Sequence, residues 1–204
     1  MKTISKILFV FFTMFFVGCT TDADDDFDAS KVCPVEGVNA YGLPNRGTFV
    51  DERDGRTYKY TTIDKRMWMA ENLKKLDGSN SEYHSMYGYE SVCPSGWRIP
   101  SEKEWMQLIK NVGGEDVAGF RLKSTQGWVS LNRGDEPNGT DDCGFSIYPR
   151  ISEGEDFSGI IAEFWTSTGN GAGGYETVKF GYLNQILYLS DIPNYSKFVR
   201  CIKD

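Results

Sequence analysis

The sequence predicts an α+β fold of antiparallel strands and hairpins with one or two helices, tied together by disulfides. Three observations carry that prediction. The stretch Ser101 to Gly114 has the period and the caps of a helix, short β-rich runs recur between Gly, Asn, Asp and Pro, and an exported chain retains an even number of cysteines. Aromatics at 14% and 22 glycines add the picture of a turn-rich fold whose few strands pack around large rings.

The ends are read first. Met1-Lys2-Thr3-Ile4-Ser5-Lys6 is basic, Ile7 to Val17 is apolar, and Gly18-Cys19 follows. That is a secretory leader, too short for a stable transmembrane span. Phe16-Val17-Gly18-Cys19 resembles a bacterial lipobox, whose Cys is diacylated and becomes the new N-terminus. The expected layout is therefore a lipoprotein signal peptide over 1–18, a lipidated Cys19 with an acidic flexible tether over 19–46, and one folded domain over 47–204. Asp22 to Asp28 holds five aspartates and little to bury, and resembles the surface-export signal of Bacteroidetes-type lipoproteins. Outer-membrane anchoring with display at the cell surface is the expected localisation.

Loss of residues 1–18 removes Lys2 and Lys6 and no acid, which takes the net charge from −7 to −9. Nucleic acid and anionic lipid surfaces reward Lys/Arg patches, so neither is an expected partner. With Cys19 lipidated, Cys33, Cys93, Cys143 and Cys201 remain, and two disulfides are expected. Three pairings are open. Cys93–Cys201 is preferred because it would tie the middle of the fold to its last strand, leaving Cys33–Cys143. Zinc is disfavoured, since no two of these Cys are close in sequence and His84 is the one His.

Residues 29–46 look irregular. Gly47 to Asp51 and Thr57 to Ile63 flank Arg53-Asp54-Gly55-Arg56, a hairpin signal because such turns need positive φ. Met67-Trp68-Met69-Ala70-Glu71-Asn72-Leu73 is apolar without a clear period and reads as either helix or strand, with Trp68 in the core. The polar, Tyr-rich segment from Lys74 to Ser91 places His84 in an exposed loop. Ser101 and Glu104 have capping-box spacing, Trp105, Leu108, Ile109 and Val112 form one apolar stripe, and Gly113-Gly114 closes the helix. Glu115 to Lys123 reads as a second helix burying parts of Val117, Phe120 and Leu122. Residues 131–142 form a long polar loop, and Phe164–Thr168, Tyr175–Phe180, Gln185–Leu189 and Lys197–Ile202 read as strands. In the last, alternation puts Val199 and Cys201 on one face and Phe198, Arg200 and Ile202 on the other.

Several blocks then occur in a distinctive order. These are Gly47-Thr48-Phe49, Arg53-Asp54-Gly55-Arg56-Thr57-Tyr58, Trp68 to Leu73, Cys93-Pro94-Ser95-Gly96-Trp97-Arg98-Ile99-Pro100-Ser101, and Glu104-Trp105. Leu122 to Thr125, Gly127-Trp128, Asn138-Gly139-Thr140-Asp141, Gly144-Phe145-Ser146, Phe164 to Thr168 and Val199 to Asp204 continue the series. Together they resemble the Fibrobacter succinogenes major paralogous domain, from about Gly47 to the C-terminus. That resemblance implies exported, often lipid-anchored bacterial proteins of unknown molecular function. Trp97-Arg98-Ile99-Pro100…Glu104-Trp105 is also similar to a block of C-type lectin-like folds, including formylglycine-generating enzymes. The lectin resemblance implies a lectin-like fold and supports the Cys93–Cys201 pairing.

The same resemblance implies a ligand loop. Asp135-Glu136-Pro137-Asn138 and Asp141-Asp142 are similar to a calcium-dependent, sugar-binding Glu-Pro-Asn loop, but the Trp-Asn-Asp that completes that site is missing. Calcium takes six to eight oxygens and a single loop rarely supplies them. No cofactor is therefore expected, calcium being the one candidate. An oxidase of the formylglycine-generating type would need a Cys-containing C-terminal active-site segment that has no counterpart. No Ser/His/Asp set or phosphate loop emerges, and no enzymatic activity is expected. The expected function is a non-catalytic binding domain, for glycans on a polysaccharide or for a surface protein. Trp128, Trp165 and Tyr175 are the candidate stacking platforms, and Asp135, Glu136, Asn138, Asp141 and Asp142 the candidate polar contacts. The alternative is a structural component of the cell surface with no small ligand.

Overall fold

The computed structural model describes residues 27–86, 92–151, 157–191 and 196–203. The expected leader, the expected lipidation site Cys19 and the aspartates up to Asp26 lie outside the described residues. Among the described residues the fold is α+β, with two antiparallel sheets, three short helices and two disulfides.

The first sheet holds β1 (Arg46–Val50), β2 (Thr57–Ile63), β3 (Arg66–Met69), β4 (Trp97–Arg98) and β8 (Ile202–Lys203), in the order β1-β2-β3-β8-β4. Gly55, at φ 75°, makes the β1–β2 turn, and Asp64, at φ 53°, the tighter β2–β3 turn. The second sheet is the meander β5 (Ile161–Gly169), β6 (Tyr175–Gly181) and β7 (Ile186–Asp191). A parallel bridge between Phe164 and Phe198 links β5 to the segment entering β8. Of the strand expected over Lys197–Ile202, only its end is a ladder; Lys197 and Phe198 make single bridges to His84 and Phe164 instead.

α2 (Glu102–Asn111) has the cap its sequence encodes. Ser101 Oγ accepts from the Glu104 amide, while the Glu104 carboxylate accepts from the Ser101 amide at 2.8 Å. Trp105, Leu108, Ile109 and Val112 are buried, and Trp105 sits among Trp68, Phe145, Phe164 and Phe180 at centroid distances of 5.1 to 6.0 Å. α3 (Glu115–Leu122) buries Ala118, Gly119 and Leu122 and leaves Phe120 40% exposed, so that ring is the least covered of the three expected to be partly buried. Gly119 decides that rotation: a Cβ there would collide with the Asn184 carbonyl, so the bare glycine lets the helix lie against the β6–β7 turn.

The two apolar clusters lie on opposite faces of the first sheet. Trp68, Ile63 and Ile202 join α2, α3 and the second sheet, while Tyr58, Met67, Met69 and Trp97 join Leu73, Val199 and Cys201. Phe198 and Ile202 fall in the first cluster and Val199 and Cys201 in the second, as their alternation requires.

The disulfides are Cys33–Cys143 and Cys93–Cys201, with Cα separations of 5.3 and 6.1 Å. The first corrects the expected tether boundary at residue 46. Residues 27–46 are packed on the domain: α1 (Ala29–Val32) is capped by Asp28, Phe27 lies under the Arg121 guanidinium, and Cys33 is fully buried. Val32 O accepts from the Asp64 amide and Asn45 O from the Thr62 amide, so this segment borders β2 as structure, not as linker.

Candidate ligand-binding cleft

The C-terminal end of α3 explains the acidic loop. A helix leaves its last carbonyls without partners, and here the loop amides supply them: Thr140 N donates to Phe120 O, Asp142 N to Arg121 O and Ile147 N to Leu122 O. Gly139 N donates to Ser124 O, and a Cβ on Gly139 would strike the Lys123 and Phe120 carbonyls, so only glycine fits that approach.

The candidate polar residues are consequently spread over separate partners. Asp135 accepts from the Asn132 backbone and side chain, each at 3.2 Å. Asn138 Oδ1 accepts from the Trp128 amide at 3.2 Å. Asp141 accepts from the Ser146 amide at 2.7 Å and from its hydroxyl; burial pushes its carboxyl up, and the Ser146 bonds pull the other way. Asp142 faces Arg121 at 3.7 Å, and Glu136 is exposed. Among the described residues, no group of three or more Asp, Glu, His or Cys is placed to hold a metal ion.

The aromatic candidates are interior residues. Trp128 is 5% exposed, with its indole donating to Ile147 O and Lys123 Nζ over its ring at 4.3 Å. Trp165 is fully buried and donates to His84 O at 2.7 Å, and half-buried Tyr175 meets its ring edge-on. Neither indole presents a face to a ligand. His84 is also inside, against the expectation of an exposed loop: it is 6% exposed, pairs with Lys197 through both backbone bonds, and its Nε2 lies 2.9 Å from Leu73 O. Burial holds its imidazole below its ordinary pKa.

A cleft of about 550 Å³ opens instead between the start of β2, the chain leaving β3, and the 144–148 segment. Arg200 forms part of its floor and is 1% exposed. Its Nε donates to Asn72 Oδ1 at 2.8 Å, one terminal nitrogen to Phe145 O, and the other to Ser146 O at 2.8 Å. The Phe145 and Phe164 rings flank the guanidinium at 4.8 and 5.7 Å. Among the described residues no carboxylate forms an ion pair with it. Burial brings its pKa down to about 10, against the pull of Glu82, Asp141 and Glu71.

The walls are polar. Asn72 Nδ2 donates to Glu82 at 2.9 Å, and Glu71 accepts from the Lys59 amide at 2.7 Å. The Tyr58 hydroxyl, its pKa raised by burial, accepts from the Lys74 amide. Tyr148, 46% exposed, stands at the rim. Of the residues singled out from sequence, only Asp141 bears on this cleft, through Ser146. Arg200 was visible as a charge in the otherwise apolar Phe198-Val199-Arg200-Cys201-Ile202, and Glu71-Asn72 as polar residues closing an apolar run.

Residues 77–203, more than half of the chain, match the family model of the Fibrobacter succinogenes major domain. The chain belongs to this family. Neither a curated protein nor a solved structure matches it. The family match begins after β1–β3, later than Gly47, yet in this Fibrobacter succinogenes major domain those strands share one sheet with β8 and β4. The cleft straddles the junction: Tyr58, Glu71 and Asn72 precede the matched span, and Glu82, Ser146, Tyr148 and Arg200 lie within it.

Proposed function

We propose that the chain is a surface-displayed bacterial lipoprotein, anchored through Cys19, whose domain binds a glycan without transforming it. The polar cleft carries this reading. It combines amide, carboxylate and hydroxyl groups, which can pair with sugar hydroxyls, with an exposed tyrosine ring that can stack on a pyranose face. A lectin-like fold and the leader read from sequence support the same conclusion. Glu71 and Glu82 are each engaged by a neighbouring N–H, which suits acceptors for sugar hydroxyls.

A glycan array probed with the mature chain, and repeated with Asn72→Ala and Tyr148→Ala, tests the proposal. Binding to a defined set of saccharides that both variants weaken is the expected result. A blank array, or binding indifferent to both substitutions, overturns it.

An assembly role without a small ligand is the second reading. The free edge of the second sheet favours it, because Leu183, Leu187 and Leu189 are each at least 40% exposed there. Reproducible co-purification with one outer-membrane complex, alongside an empty array, selects it.

A further inference from the structure

The acidic chain carries a locally basic cleft. Arg56, Lys59, Lys74 and Arg200 line it against two carboxylates, Glu71 and Glu82, whereas the whole sequence has a net charge of −7. Part of the Arg56 charge is spent on Asp54 at 2.7 Å. The others are not spent in this way: among the described residues Lys59, Lys74 and Arg200 take part in no ion pair, and Arg200 is held by amide and carbonyl oxygens alone. A guanidinium buried between two phenyl rings projects its field through a medium of low dielectric, so an anion entering the cleft feels it more strongly than one at the open surface.

We infer that the ligand is an acidic saccharide, a uronate-type sugar whose carboxylate meets the Lys59 and Lys74 ammonium groups in the field of buried Arg200 while its hydroxyls meet Glu71 and Glu82. This rests on the glycan-binding reading above. The pairing of functions within one lining selects the class. Cations alone would suit any polyanion, but two carboxylates in the same wall repel one and are useful only as acceptors for hydroxyl donors. An acidic peptide offers the charge without the vicinal hydroxyls, and a neutral glycan offers the hydroxyls without the charge.

The test measures affinity of the mature chain for polygalacturonate, alginate and a glucuronate polymer, each beside its carboxyl-reduced counterpart, with polyglutamate as a sugar-free polyanion. One charge-assisted contact corresponds to about tenfold in affinity, so at least one uronate polymer is expected to bind about tenfold tighter than its reduced form. Raising salt from about 50 to 300 mM should narrow that gap, because the rim lysines are open to screening. The double variant Lys59→Glu/Lys74→Glu should abolish it while leaving the circular dichroism spectrum and melting temperature unchanged.

Equal binding of charged and reduced polymers, or a gap that survives the double variant, overturns the acidic-ligand inference and leaves the glycan reading standing. Polyglutamate binding as tightly as the best uronate polymer overturns the saccharide half. No binding to any uronate polymer overturns the inference, and a blank glycan array besides removes the glycan reading as well.

Discussion

Replacing Glu104 by Gln isolates the ionic part of the cap on α2. Oε1 lies 2.6 Å from one terminal Arg98 nitrogen and Oε2 2.8 Å from the other, while Oε2 also accepts from the Ser101 amide at 2.8 Å and hydroxyl at 3.0 Å. Burial alone would push this carboxyl up; the Arg98 and Ser101 contacts outweigh it and bring the pKa from 4.5 to about 2. A shift of that size corresponds to about 3 kcal/mol, discounted to about 2 kcal/mol because the Arg98 side chain is 39% exposed. The sign follows from proton uptake. The unfolded carboxyl protonates first as pH falls, so the contribution is complete above about 4.5 and is lost as pH falls through 2. Equilibrium unfolding in guanidinium chloride, with both disulfides intact, should therefore separate Glu104→Gln from the parent by about 2 kcal/mol at pH 7 and by under about 1 kcal/mol at pH 2. An equal gap at both pH values would show that the carboxylate's charge contributes nothing, and the argument would fail.

Two further outcomes follow from the interior. His84 is the one histidine, so its ring resonance is unambiguous. Because burial disfavours the imidazolium, an NMR titration should place its midpoint below 6.5, with its contribution to stability present above 6.5 and lost as pH falls towards the folded value; a midpoint at or above 6.5 contradicts its burial. Cys33→Ser/Cys143→Ser removes a crosslink spanning 110 residues. The chain-entropy relation gives about 4–5 kcal/mol for such a loop, and proteolysis should cut within residues 27–46 well before the domain unfolds globally. Unchanged stability with an intact N-terminal segment would refute the stabilising role of this crosslink.

What could be read from the sequence depended on how many faces of an element are buried. α2 has one buried stripe and a complete box, and both its start and its register were readable. β3 was ambiguous between helix and strand because its sheet is covered on both sides: Trp68 enters one cluster, Met67 and Met69 the other, and no polar alternation survives. Phe120 reads as partly covered and is 40% exposed, but the close approach of α3 at Gly119, which sets how the helix lies, has no apolar signature. Residues 27–46 looked like linker because one buried cysteine and a few backbone bonds hold them, neither of which has a periodic signature. The cleft was hidden for a different reason. Its floor is an arginine four residues from the C-terminus, and its walls come from three segments that only the closed sheet brings together.

The Cys33–Cys143 bond also bears on the cleft. Gly144 and Ser146 form one wall of the cleft directly after Cys143, and Cys33 stands at the start of the described domain. The wall of the cleft is thus one peptide bond from a covalent link to Cys33, so it and the start of the described domain stay joined even where the hydrogen bonds around Cys143 and Ser146 open.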